Sequence, residues 1–141
     1  MNFSTRGEYG LRSAVSLARN YPQKKTIKEI SREEKISVKY LERIVGDLRR
    51  GGIAKSTKGK NGGYVLAESP EKIRVGKVIE CAEGPIAVKC YGTKCKMIGK
   101  CPSSFVWVKL GAQIKKTLYG IRLSDLIASE KRAQNARTRM R

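Results

Sequence analysis

Residues 36–67, ISVKYLERIVGDLRRGGIAKSTKGKNGGYVLA, hold the reading that decides the fold. Ser37 stands where a side-chain oxygen can cap a helix, and Val38, Leu41, Ile44, Val45 and Leu48 then recur at helical spacing as one apolar stripe. Gly51 and Gly52 end that helix through a conformation that needs no side chain. Beyond them two short β-type runs, residues 53–56 and 64–66, flank Gly59, Gly62 and Gly63, which permit a tight chain reversal. The stretch predicts a helix followed by a hairpin with Lys58 and Lys60 at its tip.

Upstream, Tyr9, Leu11, Ala14, Val15, Leu17 and Ala18 recur at helical spacing between Ser4 and Asn20, and Tyr21 with Pro22 ends that helix. Thr26 followed by Glu29 forms a capping box for a second helix whose buried side is Ile27, Ile30 and Ile36. Two short helices joined by a tight link, then a hairpin, are the organisation of a winged helix-turn-helix. The helix after Ser37 would lie in a DNA major groove, and the wing would follow a phosphate backbone or probe a minor groove.

Downstream, residues 74–82 predict a short helix with Val75, Val78 and Ile79 inward and Cys81 on the same apolar side as a small core residue. Glu83, Gly84 and Pro85 stop it. Pro102 is placed for the first turn of a long helix through Phe105, Val106, Trp107, Leu110, Ile114 and Leu118. A stripe of that kind outside a small domain needs a partner, and a twofold DNA site needs a dimer, so this helix is expected to build a homodimer. Tyr119 and Gly120 break it, and Ser124 caps a short turn. The expected fold class is mainly α with a small β wing. Its parts are a DNA-binding region at 1–68, a connecting helix at 69–84, a cysteine loop at 85–101, dimerisation helices at 102–129 and a basic tail at 130–141, expected to be disordered or to follow DNA.

The formal charge of +19, from 31 Lys and Arg against 12 Asp and Glu, makes a polyanion the expected partner. Arg6, Glu8 and Arg12 interrupt the apolar stretch a signal peptide would need, and no run approaches bilayer length, so a cytoplasmic protein without membrane contact is expected. In a reducing compartment, four cysteines suit metal binding, thiol chemistry or packing better than disulfides. Paired carboxylates, a histidine base and a nucleotide-type glycine loop are all missing, which argues against an enzyme.

Cys90, Cys95 and Cys101 are spaced C-x4-C-x5-C, close enough for three sulfurs to converge on one centre. Soft ligands of this kind suit an iron–sulfur cluster or zinc, and a metal-free thiol sensor remains a third reading. Lys89, Lys94, Lys96 and Lys100 make the loop electropositive, which would favour thiolates and offset cluster charge, or would simply form a solvated or DNA-facing surface.

MNFSTRGEYGLRS at the start, residues 36–67, VGKVIECAEGP and the cysteine loop together resemble the Rrf2 family of bacterial transcriptional regulators over roughly residues 1–130. The resemblance implies a homodimeric winged helix-turn-helix regulator, crossed by long C-terminal helices, on palindromic double-stranded promoter DNA. In cluster-binding members three loop cysteines hold a 2Fe-2S or 4Fe-4S centre. Here they match Cys90, Cys95 and Cys101, with the two-iron form placed ahead of the four-iron form. The family's cluster regulators carry a histidine ligand where this chain has Ser104, and the chain has no histidine. Likeness to nitric-oxide-sensing members places an acidic ligand, contributed across the dimer, at Glu8.

The same resemblance puts Ser37, Lys39, Tyr40 and Arg43 on the groove-facing side, although Tyr40 could equally pack between helices. Arg43 can make a bidentate contact to guanine, and Glu42 can accept from cytosine. Arg49 and Arg50 at the helix end are candidate backbone anchors, as are Lys58 and Lys60 in the wing. The implied function is sensing of iron–sulfur, redox or nitric-oxide status, with control of iron–sulfur biogenesis genes. The alternatives are a metal-free thiol or cysteine-metabolism regulator, and a small iron–sulfur or zinc protein without specific DNA readout.

Overall fold

In the computed structural model, residues 3–97 and 99–141 are described. Met1 and Asn2 of the opening motif, and Ile98 in the cysteine loop, lie outside the described residues. The chain forms α1 (Thr5–Arg19), α2 (Ile27–Glu34), α3 (Val38–Arg50), β1 (Ala54–Thr57), β2 (Gly63–Leu66), α4 (Val75–Glu83), α5 (Ser104–Tyr119) and α6 (Leu123–Arg139).

Local chemistry starts the first three helices. Ser4, Thr26 and Ser37 each accept a backbone N–H of the first turn, and Glu29 reaches back to the Thr26 N–H to complete the capping box. Lys35 adopts the left-handed conformation (φ 55°) that turns α2 toward α3. Gly52, at φ 80°, releases the chain from α3 into β1. β1 and β2 pair antiparallel, with Ala54 opposite Leu66 and Thr57 opposite Gly63. The result is mainly helical with one two-stranded wing.

Leu17 of α1, Ile30 of α2, Leu41, Val45 and Leu48 of α3, Val78 of α4 and Leu123 of α6 meet in one fully buried cluster. Burying each such side chain contributes about 2 kcal/mol relative to exposure. Val38, read as part of this stripe, is instead exposed, because it sits in the first turn of α3 before that helix meets the core.

Charge joins the helices where apolar packing ends. Arg19 of α1 pairs with Glu34 of α2 at 2.7 Å and with Glu130 of α6 at 2.8 Å, while Arg12 reaches Glu34 at 3.1 Å. Lys25 is buried, with its Nζ 2.7 Å from Glu33 and 2.8 Å from the Ser16 carbonyl. The Lys25 backbone also exchanges hydrogen bonds with Tyr64 of β2 (2.8 and 2.7 Å), so one residue ties the wing root to α1 and α2.

Three boundaries depart from the sequence reading. α5 starts at Ser104, so Pro102 precedes the helix rather than forming its first turn. α6 is capped by the Asp125 carboxylate accepting the Arg122 N–H at 2.9 Å, not by Ser124. Residues 130–139, expected to be disordered, continue α6 as an exposed helix. Its first turns are anchored by Leu123, Leu126 and Ile127 on the core, so extension costs no new nucleus. Among the described residues no helix is long and apolar enough to cross a membrane.

Candidate nucleic-acid interface and cysteine loop

α3 presents Lys39, Glu42, Arg43, Arg49 and Arg50 to solvent, and Ser37 is committed to capping, its Oγ accepting the Tyr40 N–H at 3.3 Å. Tyr40 is half-buried against Tyr9, ring edge to face at 5.5 Å and 86°, so it packs α3 on α1. Lys58 and Lys60 stand exposed on the wing's connecting turn, where Gly59 adopts φ 108°. The exposed side of α3 and the wing tip are thus both cationic and open to solvent.

Asp47 and Arg6, neither of them assigned to DNA contact from the sequence, lie beside the exposed side of α3. The Asp47 carboxylate accepts from Arg50 at 2.5 Å and from Arg6 of α1 at 2.8 Å. Together with Glu42 and Arg43 these residues line one surface groove. Burial pushes the Asp47 carboxyl up, but the hydrogen bonds and charges of Arg50 and Arg6 outweigh it and hold the group below its ordinary value. The i, i+3 spacing of Asp47 and Arg50 was visible in the sequence. The approach of Arg6 was not.

The cysteine loop joins α4 to α5. Ile86 and Val88 are buried, and the Ile86 N–H donates to Glu80 of α4 at 3.0 Å. Val88 and Tyr91 exchange backbone hydrogen bonds (2.9 and 2.7 Å), closing a turn whose central residues are Lys89, at φ 42°, and Cys90. The loop docks on α5 through Tyr91, whose ring occupies the space a side chain on Gly111 would fill, and through Lys89 over the Trp107 ring at 5.7 Å.

Two of the three loop sulfurs meet. Cys90 Sγ lies 3.9 Å from Cys95 Sγ, whereas Cys101 Sγ is 3.1 Å from Ser103 Oγ. Among the described residues no group of three His, Cys, Asp or Glu side chains is arranged to hold a metal ion. Desolvation, the hydrogen bond to Cys95 and the neighbouring thiols push the Cys90 thiol up. Hydrogen bonds from Ser103 push the Cys101 thiol down. The donor types fit a thiophilic metal or cluster, two sulfurs being adjacent and the third on the same loop.

Ser104 is buried and donates to the Cys101 carbonyl at 2.6 Å, so its hydroxyl secures the entry to α5. Glu8 is 65% exposed on α1, with Arg12 at 3.9 Å. Cys81 lies at the edge of the core, its Sγ 3.8 Å from the Gly51 carbonyl, and burial raises its thiol. It sits against the end of α3.

A family model, Rrf2, described as an iron-dependent transcriptional regulator, matches residues 3–129. The transcriptional regulator CymR of Bacillus subtilis is 34% identical over 128 residues, covering 89% of this chain and 89% of that protein. The solved structure of CymR, the global cysteine regulator of B. subtilis, superposes with a TM-score of 0.77 at 30% identity and covers 92% and 98% of the two chains. That of T. potens IscR gives 0.80 at 31% identity, covering 95% and 91%.

Proposed function

Given that the chain belongs to the Rrf2 family of transcriptional regulators and is not an enzyme, we propose that it is a homodimeric, cytoplasmic regulator of palindromic promoter DNA in which Cys90, Cys95 and Cys101 hold an iron–sulfur cluster. The observation that carries the cluster reading is the 3.9 Å approach of Cys90 and Cys95 on a loop docked against α5. When bound, such a centre supplies a group responsive to oxidants, nitric oxide and iron supply. The four loop lysines offset its negative charge, and Glu8 from the facing subunit is the proposed fourth ligand.

Phe105 (70% exposed), Val106 (53%) and Leu110 form an uncovered apolar face on α5, which supports a helix-to-helix dimer. The loop grips α5 through Tyr91 and Lys89, so rearrangement of its cysteines is transmitted to the helix that spaces the two α3 helices. Palindromic DNA fixes that spacing, which lets a small rigid-body shift change affinity strongly. Lys39, Glu42 and Arg43 read bases, while Arg49, Lys58 and Lys60 hold phosphates.

Lys58→Glu should weaken binding to matched and scrambled duplexes alike, by about tenfold near 0.1 M salt, because a phosphate contact is replaced by repulsion. Competition binding with both duplexes checks this, and an altered sequence preference at unchanged overall affinity would remove the phosphate assignment.

The cluster reading is tested by anaerobic purification with a visible spectrum and iron and sulfide counts. Near-stoichiometric iron and sulfide in a coloured protein is the expected result, with the ratio separating 2Fe-2S from 4Fe-4S. A colourless protein that resists reconstitution yet binds DNA would favour a second reading, a metal-free thiol or cysteine-metabolism regulator. The close Cys90 and Cys95 pair and the likeness to CymR support that alternative.

A further inference from the structure

Net charge sets a problem that α3 itself addresses. A chain at +19 binds any duplex electrostatically, and a regulator needs that affinity kept below its affinity for matched sites. We propose that Asp47 is a specificity-determining residue, its carboxylate engaging the guanidinium groups of Arg6 and Arg50 beside the reading face and withholding two phosphate contacts from DNA of unmatched sequence. The inference rests on the reading of α3 as the DNA-contacting helix given above.

The geometry is that of an internal stand-in for phosphate. Asp47 is recessed (18% exposed) between two projecting cations, Arg6 (50%) and Arg50 (63%), at 2.8 and 2.5 Å. Carboxylate and phosphate present oxygens to guanidinium in the same way, so each arginine serves one or the other. Helix stability does not account for an acid here: Asp47 lies in the last turn of α3, where negative charge opposes the helix dipole. Arg50 follows at i+3, but Arg6 arrives from another helix, which marks the cluster as a product of the fold rather than of α3 alone.

Glu42 and Arg43 line the same groove, which puts the clamp beside the residues assigned to base contacts. A duplex docked on α3 takes its contacts from Lys39, Glu42 and Arg43 with the clamp intact. A loosely held duplex gains from Arg6 and Arg50 only by displacing Asp47.

The test is fluorescence-anisotropy binding of the full-length protein to a scrambled duplex across a salt series, beside a matched duplex selected from a random library. Asp47→Asn should raise affinity for the scrambled duplex roughly tenfold near 0.1 M salt and steepen the log–log salt slope by about 1 to 2, while the matched site changes less than about threefold. Unchanged or weakened scrambled binding would overturn the proposal. A second variant keeps Asp47 and replaces both arginines, Arg6→Gln with Arg50→Gln. Its scrambled-duplex slope should equal that of the unaltered protein, and a slope shallower by about 1 to 2 would show that the arginines already contact phosphate, again overturning the proposal. An unaltered protein with no salt-dependent duplex binding would overturn the DNA-interface reading as well, which separates the two failures.

Discussion

Gly10→Val is expected to cost about 3 kcal/mol of folding stability, a large share of the roughly 5–15 kcal/mol typical of a domain. α1 packs more extensively against α4 than against any other helix, and the approach is close because Gly7 and Gly10 lie on the shared side. A Cβ on Gly10 would stand 2.5 Å from the Ala82 Cβ. A methyl fixed to a helix backbone cannot turn aside, so α1 and α4 would have to separate, opening the core around Leu17 and Val78. Thermal unfolding followed by circular dichroism should show a midpoint lower by roughly 10 °C. A variant melting within a degree or two of the unaltered protein would show that the helices can slide to absorb the side chain. The same separation would tilt α4, which feeds the cysteine loop, so under the cluster reading proposed above the iron count should fall with stability.

Glu33→Gln is expected to cost about 2 kcal/mol at neutral pH, below the full penalty for breaking a buried pair because Glu33 is partly exposed to screening solvent. It leaves the Lys25 ammonium, 3% exposed, without its carboxylate partner, facing the neutral amide oxygen of the new side chain and the Ser16 carbonyl and hydroxyl. In the unaltered protein, burial pushes the Glu33 carboxyl up, but hydrogen bonds from Lys25 and Ser16, with the charges of Lys25 and Arg19, hold it below its ordinary value. Glu130 is held low too, mainly by its hydrogen bond from Arg19. A carboxyl depressed in the folded state contributes stability that is fully present above its unfolded pKa, near 4.5 for Glu, and lost as pH falls through the folded value. Urea titrations should therefore show Glu33→Gln below the unaltered protein at pH 7, with the gap closing on acidification below about pH 4.5. A gap that persists unchanged in acid would mean that lost packing, not charge, causes the deficit. Faster amide exchange at Tyr64 should accompany the loss, because Lys25 pairs with it through the backbone.

The helix α3 was legible because its determinants are local. Ser37 caps a donor three residues away, Leu41, Ile44, Val45 and Leu48 fall on one side by periodicity alone, and Gly52 marks the exit with a positive φ. The wing followed from its glycines. The start of α6 was not legible in this way, because tertiary pairing fixes it: the Val75 N–H donates to the Ile121 carbonyl and the Leu123 N–H to that of Ile73, holding the chain extended until Leu123. The tail read as disordered for want of apolar residues, yet Ala, Arg, Gln and Lys propagate a helix readily once an anchored turn exists. In the cysteine loop, spacing showed that three sulfurs could meet. Which two do meet depends on a turn at Lys89 and a hydroxyl at Ser103 that no spacing rule encodes.

The exposed end of α6 bears on speed. From residue 131 to 141 it carries Lys131, Arg132, Arg137, Arg139 and Arg141 with no acidic residue, on a helix whose last turns bury nothing. Charges so displayed act over about one Debye length, ~8 Å at physiological ionic strength, before any surface touches. Their influence falls on how often a duplex is met and in which orientation, while the time it is held is set by α3 and the wing. The last turns of α6, with no apolar face to bury, thus suit capture under the DNA-binding reading proposed above, leaving discrimination to the elements packed on the core.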